Sequence, residues 1–183
     1  HIYSEKYDDN FSEVISRAEK ELEFIISIGY DLESSKKGVE LAKKYDFVYS
    51  VVGIHPVDIK KYNDEVEQEL TKMATDEPKV VSIGEIGLDY HCMVDPKEIQ
   101  EEVFRKQLEI ARKAKLPVVI HTRDALEDTL RILSEYQDIG GRLHCFPGSY
   151  DSAKPLLDRY YIGVAGIVTF KNNKKTQEMV KNT

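Results

Sequence analysis

Short apolar runs, rich in β-branched residues, recur along the chain and alternate with longer amphipathic stretches. The centres of these runs lie roughly 20–35 residues apart, which is the length of one strand–helix unit. Several runs are almost continuously apolar, as is typical of strands that are buried on both faces of a parallel sheet. The runs predict strands at Phe24–Gly29, Tyr49–Ile54, Val80–Ile86, Pro117–His121, Arg142–Phe146 and Tyr161–Val168.

Helical periodicity and capping signals predict helices between these strands. Asp95-Pro96-Lys97-Glu98 offers an N-cap aspartate, a proline at the first helical position and a glutamate at the third. Asp124-Ala125-Leu126-Glu127 resembles a second capping box, so Asp124 is interpreted as a structural cap. The helix that begins near Pro96 is expected to bury Ile99, Val103, Ile110, Ala111 and Ala114. Further helices are expected at about residues 10–22, 34–45, 64–76, 150–158 and 171–181.

The number of units indicates the fold. Counting a strand that ends at His1, the pattern predicts seven strand–helix units. A closed eight-stranded barrel usually needs about 250 residues, and a seven-stranded open barrel would leave two bare edges. We therefore predict an α/β protein, a single-domain (β/α)8 TIM barrel over residues 1–183, whose first strand and last strand–helix unit lie outside this sequence. An open doubly wound sheet is the alternative, but its glycine-rich phosphate loop is not visible.

Histidines and one glutamate stand where the apolar runs end. His55, His121, His144 and Glu85 each close such a run, and His1 stands where the chain opens. In a parallel barrel these carboxyl ends converge on one face, where active sites are built. Imidazoles and carboxylates are common ligands of metal ions. The pattern predicts a metal-dependent hydrolase.

The composition limits the kinds of partner and the cellular location that are expected. The formal net charge of −7 argues against a wide basic surface for duplex nucleic acid. It does not exclude a phosphate substrate, because bound metal ions bring positive charge into a site. The two cysteines, Cys92 and Cys145, do not make a disulfide scaffold and favour a cytoplasmic location. Cys145 is expected to be a small buried residue. No run of about 18 apolar residues exists, so no membrane span is predicted.

Four ordered motifs resemble those of one known family. The motifs are Val52–Pro56, Gly84–Tyr90, Val119–Asp124 and His144–Gly148, and the resemblance extends over the whole chain. They are similar to motifs of the TatD family, metal-dependent deoxyribonucleases of the amidohydrolase superfamily. The resemblance implies a (β/α)8 barrel with two divalent cations, for which Mg, Mn, Zn and Ni are all candidates.

The resemblance also implies roles for particular residues. Glu85 matches a carboxylate that bridges the two cations, and His121 and His144 match ligands of one of them. His1 matches the second histidine of a His-x-His pair, whose upstream partner lies outside this sequence, as does a terminal aspartate ligand. His55 and Arg123 are implied to lie near the scissile phosphate, where the fork of an arginine suits two oxygens.

Each of these residues also has a structural interpretation. Glu85 could form an ion pair in the core, His55 could shape the turn before Pro56, and Arg123 could be an ion-pair partner. A histidine at position 1 could be the remnant of a tag. Asp89 matches a family residue that could either support a ligand or form a turn. His91 is expected to be ancillary, at the rim of the site.

The sequence thus predicts a hydrolase that cleaves DNA phosphodiester bonds with a metal-activated water, exonucleolytically, on single strands or ends. One alternative keeps the site but hydrolyses an ester or amide, as an aminoacyl-tRNA deacylase or a small-molecule amidohydrolase would. Another alternative is a non-catalytic metal-binding fragment. DNA is the expected partner, no membrane is expected, and the oligomeric state stays open, with a monomer as one option.

Overall fold

A computed structural model describes residues 2–7 and 9–183 of the chain. Its strands form one parallel sheet in which spatial order equals chain order, so each strand pairs with the strands that precede and follow it. The strands are β1 (Ile25–Ile28), β2 (Val48–Val52), β3 (Val80–Asp89), β4 (Val118–Arg123), β5 (Gly141–Leu143) and β6 (Tyr160–Ile162).

Helices alternate with these strands, as the hydrophobic pattern predicts. They are α1 (Phe11–Glu21), α2 (Leu32–Lys44), α3 (Asp64–Asp76), α4 (Lys97–Ala114), α5 (Leu126–Glu135), α6 (Tyr150–Ala153) and α7 (Lys174–Asn182). Short 3-10 helices cover Glu5–Tyr7, Ile59–Lys61, Lys154–Leu156 and Gly166–Thr169. No helix in the described part of the chain is both long and apolar enough to cross a membrane.

The longest strand, β3, organises the core. Its apolar side chains Ile83, Ile86 and Leu88 are fully buried, and so is Ile120 of β4. The register pairs Gly87 with His121 and Asp89 with Arg123, with an irregularity between Ile83 and Ile86. This register carries the polar residues at the ends of β3 and β4 to the same edge of the sheet.

The sheet confirms the prediction of an α/β fold with an unclosed barrel. Within the described residues β1 and β6 are the two edges. An open trough of about 1380 Å³ lies along one side of the sheet. Phe24, Ile26 and Tyr161 line it and are well exposed, and Glu85 and His144 also belong to its lining.

Two predicted helix starts are wrong in detail. Pro96 is itself the N-cap of α4, and no side-chain cap is formed there. Ala125 is the N-cap of α5. Asp124 adopts a left-handed backbone conformation with φ 53°, and its carboxylate lies 3.1 Å from Nδ1 of His91. Asp124 therefore joins two loops and caps no helix.

The last predicted strands are too long. β5 ends at Leu143, because Cys145 takes a positive φ that turns the chain out of the sheet. β6 ends at Ile162, and Gly166–Thr169 forms a 3-10 helix where the sequence predicts strand. The helix expected at 150–158 divides into α6 and a 3-10 turn, since Pro155 lacks the N–H that would continue an α-helix.

Candidate metal centre

The structure brings together three of the four proposed metal ligands, from successive strand–helix units. Glu85 lies in β3, His121 lies in β4 and His144 directly follows β5. Oε1 of Glu85 is 3.4 Å from Nδ1 of His121 and 4.0 Å from Nε2 of His144. The fourth proposed ligand, His1, lies outside the described residues. His121 and His144 lie at or near the carboxyl ends of their strands, as expected. Glu85 lies inside β3, because this strand extends to Asp89, beyond the end predicted at Ile86.

The carboxylate of Glu85 is largely buried, and its Oε1 accepts no hydrogen bond. A buried carboxylate oxygen without a partner is costly, and such atoms are rare. Ligand atoms of Glu85, His55 and His121 all lie within 4.8 Å of one another. The carboxylate oxygen of Glu85 and the His121 nitrogen that faces it suit a divalent cation, so these residues fit a metal ion. His55 lies beside them, but its Nδ1 is engaged by the N–H of Val57.

The ring of His121 lies between two carboxylates. Its Nδ1 faces Glu85, and its Nε2 is 3.0 Å from Oδ2 of Asp89. Burial by itself would lower the pKa of His121, but the carboxylates of Glu85 and Asp89 outweigh burial and raise it. A histidine held on one nitrogen by a carboxylate presents its other nitrogen in a fixed direction, an arrangement that is common around metal ions.

Asp89 makes the contacts that both interpretations of the sequence require. Its Oδ1 accepts hydrogen bonds from the backbone N–H groups of His91 and Cys92, at 3.0 and 2.8 Å, and so forms the turn after β3. Its Oδ2 contacts His121. Burial would raise the pKa of Asp89, but these hydrogen bonds lower it.

His55 packs edge-on against His121, with 4.2 Å between ring centroids. Burial, and then the neighbouring His121, lower the pKa of His55 to about 4. Its Nδ1 accepts a hydrogen bond from the N–H of Val57 at 3.3 Å. The neutral ring then carries its proton on Nε2, which makes Nε2 a donor. His55 therefore shapes the turn at Pro56 and also belongs to the cluster.

His144 is the most exposed of the clustered rings, and its Nε2 lies 3.2 Å from Sγ of Cys145. The expectation that Cys145 is buried is wrong, because its thiol is exposed at the mouth of the site. Burial of part of this residue, together with the charge of Glu85, raises the pKa of the thiol.

Arg123 ends β4 at the rim, where its carbonyl accepts the N–H of Tyr90. Its side chain is exposed and makes no ion pair with any described residue, so the interpretation as a structural ion-pair partner is not supported. His91 contacts Asp124 at the same rim, as expected for an ancillary residue.

Sequence reasoning missed two buried glutamines on α4. Gln100 and Gln107 are each 1% exposed, whereas Ile99, expected in the core, is 44% exposed. The predicted burial of Val103, Ile110 and Ala111 is confirmed, whereas Ile99 is exposed and its neighbour Gln100 is buried instead. The two glutamines were missed because a buried polar side chain carries no hydrophobic signal. A pair of glutamines seven residues apart within an otherwise apolar stripe would have been the available sign.

The family described as TatD related DNase matches residues 1–183. Among curated relatives, an uncharacterized metal-dependent hydrolase, YabD of Bacillus subtilis, is 43% identical over 99% of this chain and 72% of its own length. A 3'-5' ssDNA/RNA exonuclease, TatD of Cronobacter turicensis, is 36% identical over 91% of this chain and 65% of its own length.

Two solved structures are similar in fold. The TatD homologue YjjV of Escherichia coli superposes with a TM-score of 0.81 at 26% identity, over 97% of this chain and 71% of that one. A TatD family hydrolase of Entamoeba histolytica gives a TM-score of 0.75 at 29% identity, over 88% of this chain and 58% of that one. The chain therefore spans roughly three fifths to three quarters of the length of these four relatives.

Proposed function

The chain belongs to the TatD family of metal-dependent hydrolases, and we propose that it hydrolyses phosphodiester bonds of single-stranded DNA or of DNA ends. The observation that carries the proposal is the buried Oε1 of Glu85, which accepts no hydrogen bond and lies 3.4 Å from Nδ1 of His121 and 4.0 Å from Nε2 of His144. A buried anionic oxygen among imidazoles is arranged to receive cations, and a phosphodiester is a substrate whose charge such cations offset.

In this proposal Glu85, His121 and His144 would hold one metal ion, and His1 would be a ligand of a second. When bound, two divalent cations lower the pKa of water and neutralise charge on phosphate oxygens. Asp89 holds Nε2 of His121 and so keeps Nδ1 directed at the centre.

Two residues outside the ligand set are proposed to contact the substrate. The Nε2–H of His55, whose Nδ1 is engaged by Val57, would donate a hydrogen bond to a phosphate oxygen near the metal. Arg123, exposed at the rim and without an ion pair among the described residues, would bind a flanking phosphate through its planar fork.

The preference for single strands or ends follows from charge and shape. A formal net charge of −7 gives little general attraction for duplex DNA. The clustered side chains lie at or near the carboxyl ends of the β-strands. A DNA end or a flexible single strand of DNA reaches them more easily than the middle of a duplex does. The relative named as a 3'-5' ssDNA/RNA exonuclease agrees with this choice.

The test replaces Glu85 by glutamine, which keeps the shape and removes the charge. With a single-stranded oligonucleotide and added Mn²⁺ or Mg²⁺, we expect hydrolysis to fall about a hundredfold or more. Glu65→Gln, an exposed glutamate of α3, is the matched control and should behave as the parent.

Two results would contradict the proposal. Undiminished cleavage by Glu85→Gln would remove Glu85 from the mechanism. The parent protein could also leave oligonucleotides intact but hydrolyse an aminoacyl ester or a small amide. In that case the proposed metal site would stand and the proposed substrate would be wrong.

A further inference from the structure

Helix α4 carries two glutamines in the core, Gln100 and Gln107, each 1% exposed. They are seven residues apart, so they lie on one face of the helix about 10 Å from each other along its axis. A buried amide has to find hydrogen-bond partners for both of its ends. Each of these amides accepts from and donates to the backbone of one residue beside the candidate metal centre, and Gln100 donates to a second residue as well.

Gln107 pairs with the backbone of Ile54. Its Oε1 accepts the N–H of Ile54 at 2.7 Å, and its Nε2 donates to the carbonyl of Ile54 at 3.0 Å. Ile54 lies beyond the last ladder residue of β2, Val52, and directly precedes His55. The side-chain amide thus takes the place of a neighbouring strand, because it offers the same donor and acceptor as a peptide group.

The residues on either side of Ile54 are fixed in a similar way. Oγ of Ser35, on α2, accepts the N–H of Gly53 at 3.1 Å and donates to its carbonyl at 3.3 Å. The N–H of His55 donates to the carbonyl of Tyr30 at 2.7 Å. Groups that take no part in the pairing of the strands therefore hold the segment Gly53–His55, and Gln107 contacts its middle residue, Ile54.

Gln100 pairs with the backbone of Asp89. Its Oε1 accepts the N–H of Asp89 at 2.9 Å, and its Nε2 donates to the carbonyls of Asp89 and Asp95, at 3.1 and 3.0 Å. The carboxylate of Asp89 contacts Nε2 of His121. A chain of contacts therefore runs from α4 through Asp89 to a proposed metal ligand.

We propose that Gln100 and Gln107 are positioning residues with separate effects on the site. Gln100, through Asp89, sets the orientation of His121 and hence the affinity for metal. Gln107, through Ile54, sets the position of His55 and hence the value of kcat/KM for the substrate. The division of effects rests on the proposed function, in which His121 is a ligand and His55 contacts the phosphate.

The experiment compares Gln100→Met and Gln107→Met, which keep the length of the side chain and remove its hydrogen bonds, three for Gln100 and two for Gln107. Gln177→Met is the matched control, since Gln177 of α7 also donates to backbone carbonyls, those of Val168 and Phe170. Three quantities are measured on each protein: the affinity for Mn²⁺, the histidine ring ¹⁵N signals of the metal-free protein, and kcat and KM with a single-stranded oligonucleotide.

We expect Gln100→Met to weaken Mn²⁺ binding about tenfold and to shift the ring signals of His121 more than those of His55, which packs against it. We expect Gln107→Met to shift the ring signals of His55 and to lower kcat/KM about tenfold or more, with Mn²⁺ affinity within about twofold of the parent. Gln177→Met should match the parent in all three measurements.

Both glutamines would be merely structural if the two methionine variants lost thermal stability while their Mn²⁺ affinities and ring signals matched the parent. Identical effects of the two variants would overturn the division between them. If the parent cleaves no oligonucleotide, the substrate proposal fails alone, because ring signals and Mn²⁺ affinity still decide the role of the glutamines. If a methionine variant does not fold, the asparagine variant, which keeps a neutral amide but is one methylene too short for the same contacts, is expected to change the same quantities.

Discussion

At the end of β3 the carboxylate of Asp89 is engaged on both of its oxygens. One oxygen closes the turn through the backbone N–H groups of His91 and Cys92, and the other holds His121. The side chain is 4% exposed, so neither contact competes much with water. A single residue therefore links the shape of a loop to the direction of an imidazole.

Replacing Asp89 by asparagine tests this link. The variant keeps an acceptor for the turn but loses the charge beside His121, so we expect affinity for Mn²⁺ to fall about 10–100-fold. Titration with Mn²⁺ measures the change. Asp124→Asn, whose carboxylate contacts His91 at the rim, is the control and should bind as the parent does. Equal affinity in Asp89→Asn and the parent would show that His121 needs no such support.

His55 gives a pH prediction for the metal-free protein. Burial and His121 lower its pKa from the usual 6.5 to about 4 in the folded state. Between these pH values the unfolded chain binds a proton that the folded protein does not, so stability falls as the pH drops from about 6.5 to about 4. The contribution is on the order of 3 kcal/mol at most.

Urea unfolding at several pH values measures this contribution. The lowered pKa values of Glu85 and Asp89 also reduce stability on acidification, while the raised pKa of His121 opposes it. The difference between the parent and His55→Gln therefore isolates His55, and we expect the variant to have the shallower pH dependence. His91→Gln, at the exposed rim, is the control. Parallel curves for parent and His55→Gln would contradict the assignment.

At the scale of elements, β3 and β4 approach each other closely where the site begins. Gly87, with φ 142°, stands opposite His121 in the register. A Cβ atom at this position would overlap the carbonyl oxygen of His121. Both the backbone conformation and the space require glycine here.

Gly87→Ala should therefore destabilise the protein by at least about 2 kcal/mol, from backbone strain and crowding together. Because the overlap is with His121, metal affinity should fall as well. Urea unfolding and Mn²⁺ titration measure the two effects. Gly166→Ala is the control, since a Cβ there meets nothing within 4 Å. Wild-type stability in Gly87→Ala would mean that the two strands can separate without cost.

Elements with a strong apolar pattern are predictable from the sequence, and α3 matches its predicted range, 64–76. Glu85, His121 and His144 are predictable as candidates too, because each closes an apolar run, but the end of β3 is not, because the strand continues past Glu85 to Asp89. The start of α5 is not, because the carboxylate of Asp124 contacts His91 from another loop. Gln100 and Gln107 escape prediction since their partners are backbone groups, which carry no side-chain pattern, and that of Gln107 is 53 residues away in the sequence.

At the scale of the whole molecule, the candidate centre joins separate strand–helix units. His55, Glu85, His121 and His144 come from β2, β3, β4 and β5 or the residues that follow them. A metal ion that is held by residues from several such units binds only when these units are packed together. Metal binding should therefore be coupled to the stability of the sheet.

This coupling predicts that divalent metal raises the melting temperature. At a free concentration about 100 times Kd, the gain is about 2.7 kcal/mol, or roughly 5–10 °C for a protein of this size. Thermal unfolding with Mn²⁺, and again after a chelator, measures the shift. Glu85→Gln should melt at the same temperature with and without the metal. A parent protein indifferent to Mn²⁺, Mg²⁺, Zn²⁺ and Ni²⁺ would contradict the metal centre.

The order of the strands has a consequence for assembly. Because neighbours in space are also neighbours in the chain, each unit can dock onto an edge that is already in place, with no long loop to close. During synthesis the strands can therefore add to the sheet one after another, in the order in which they are made. Glu85 and His121 would then come together before β5 pairs with β4, and His144 would join the cluster late in folding.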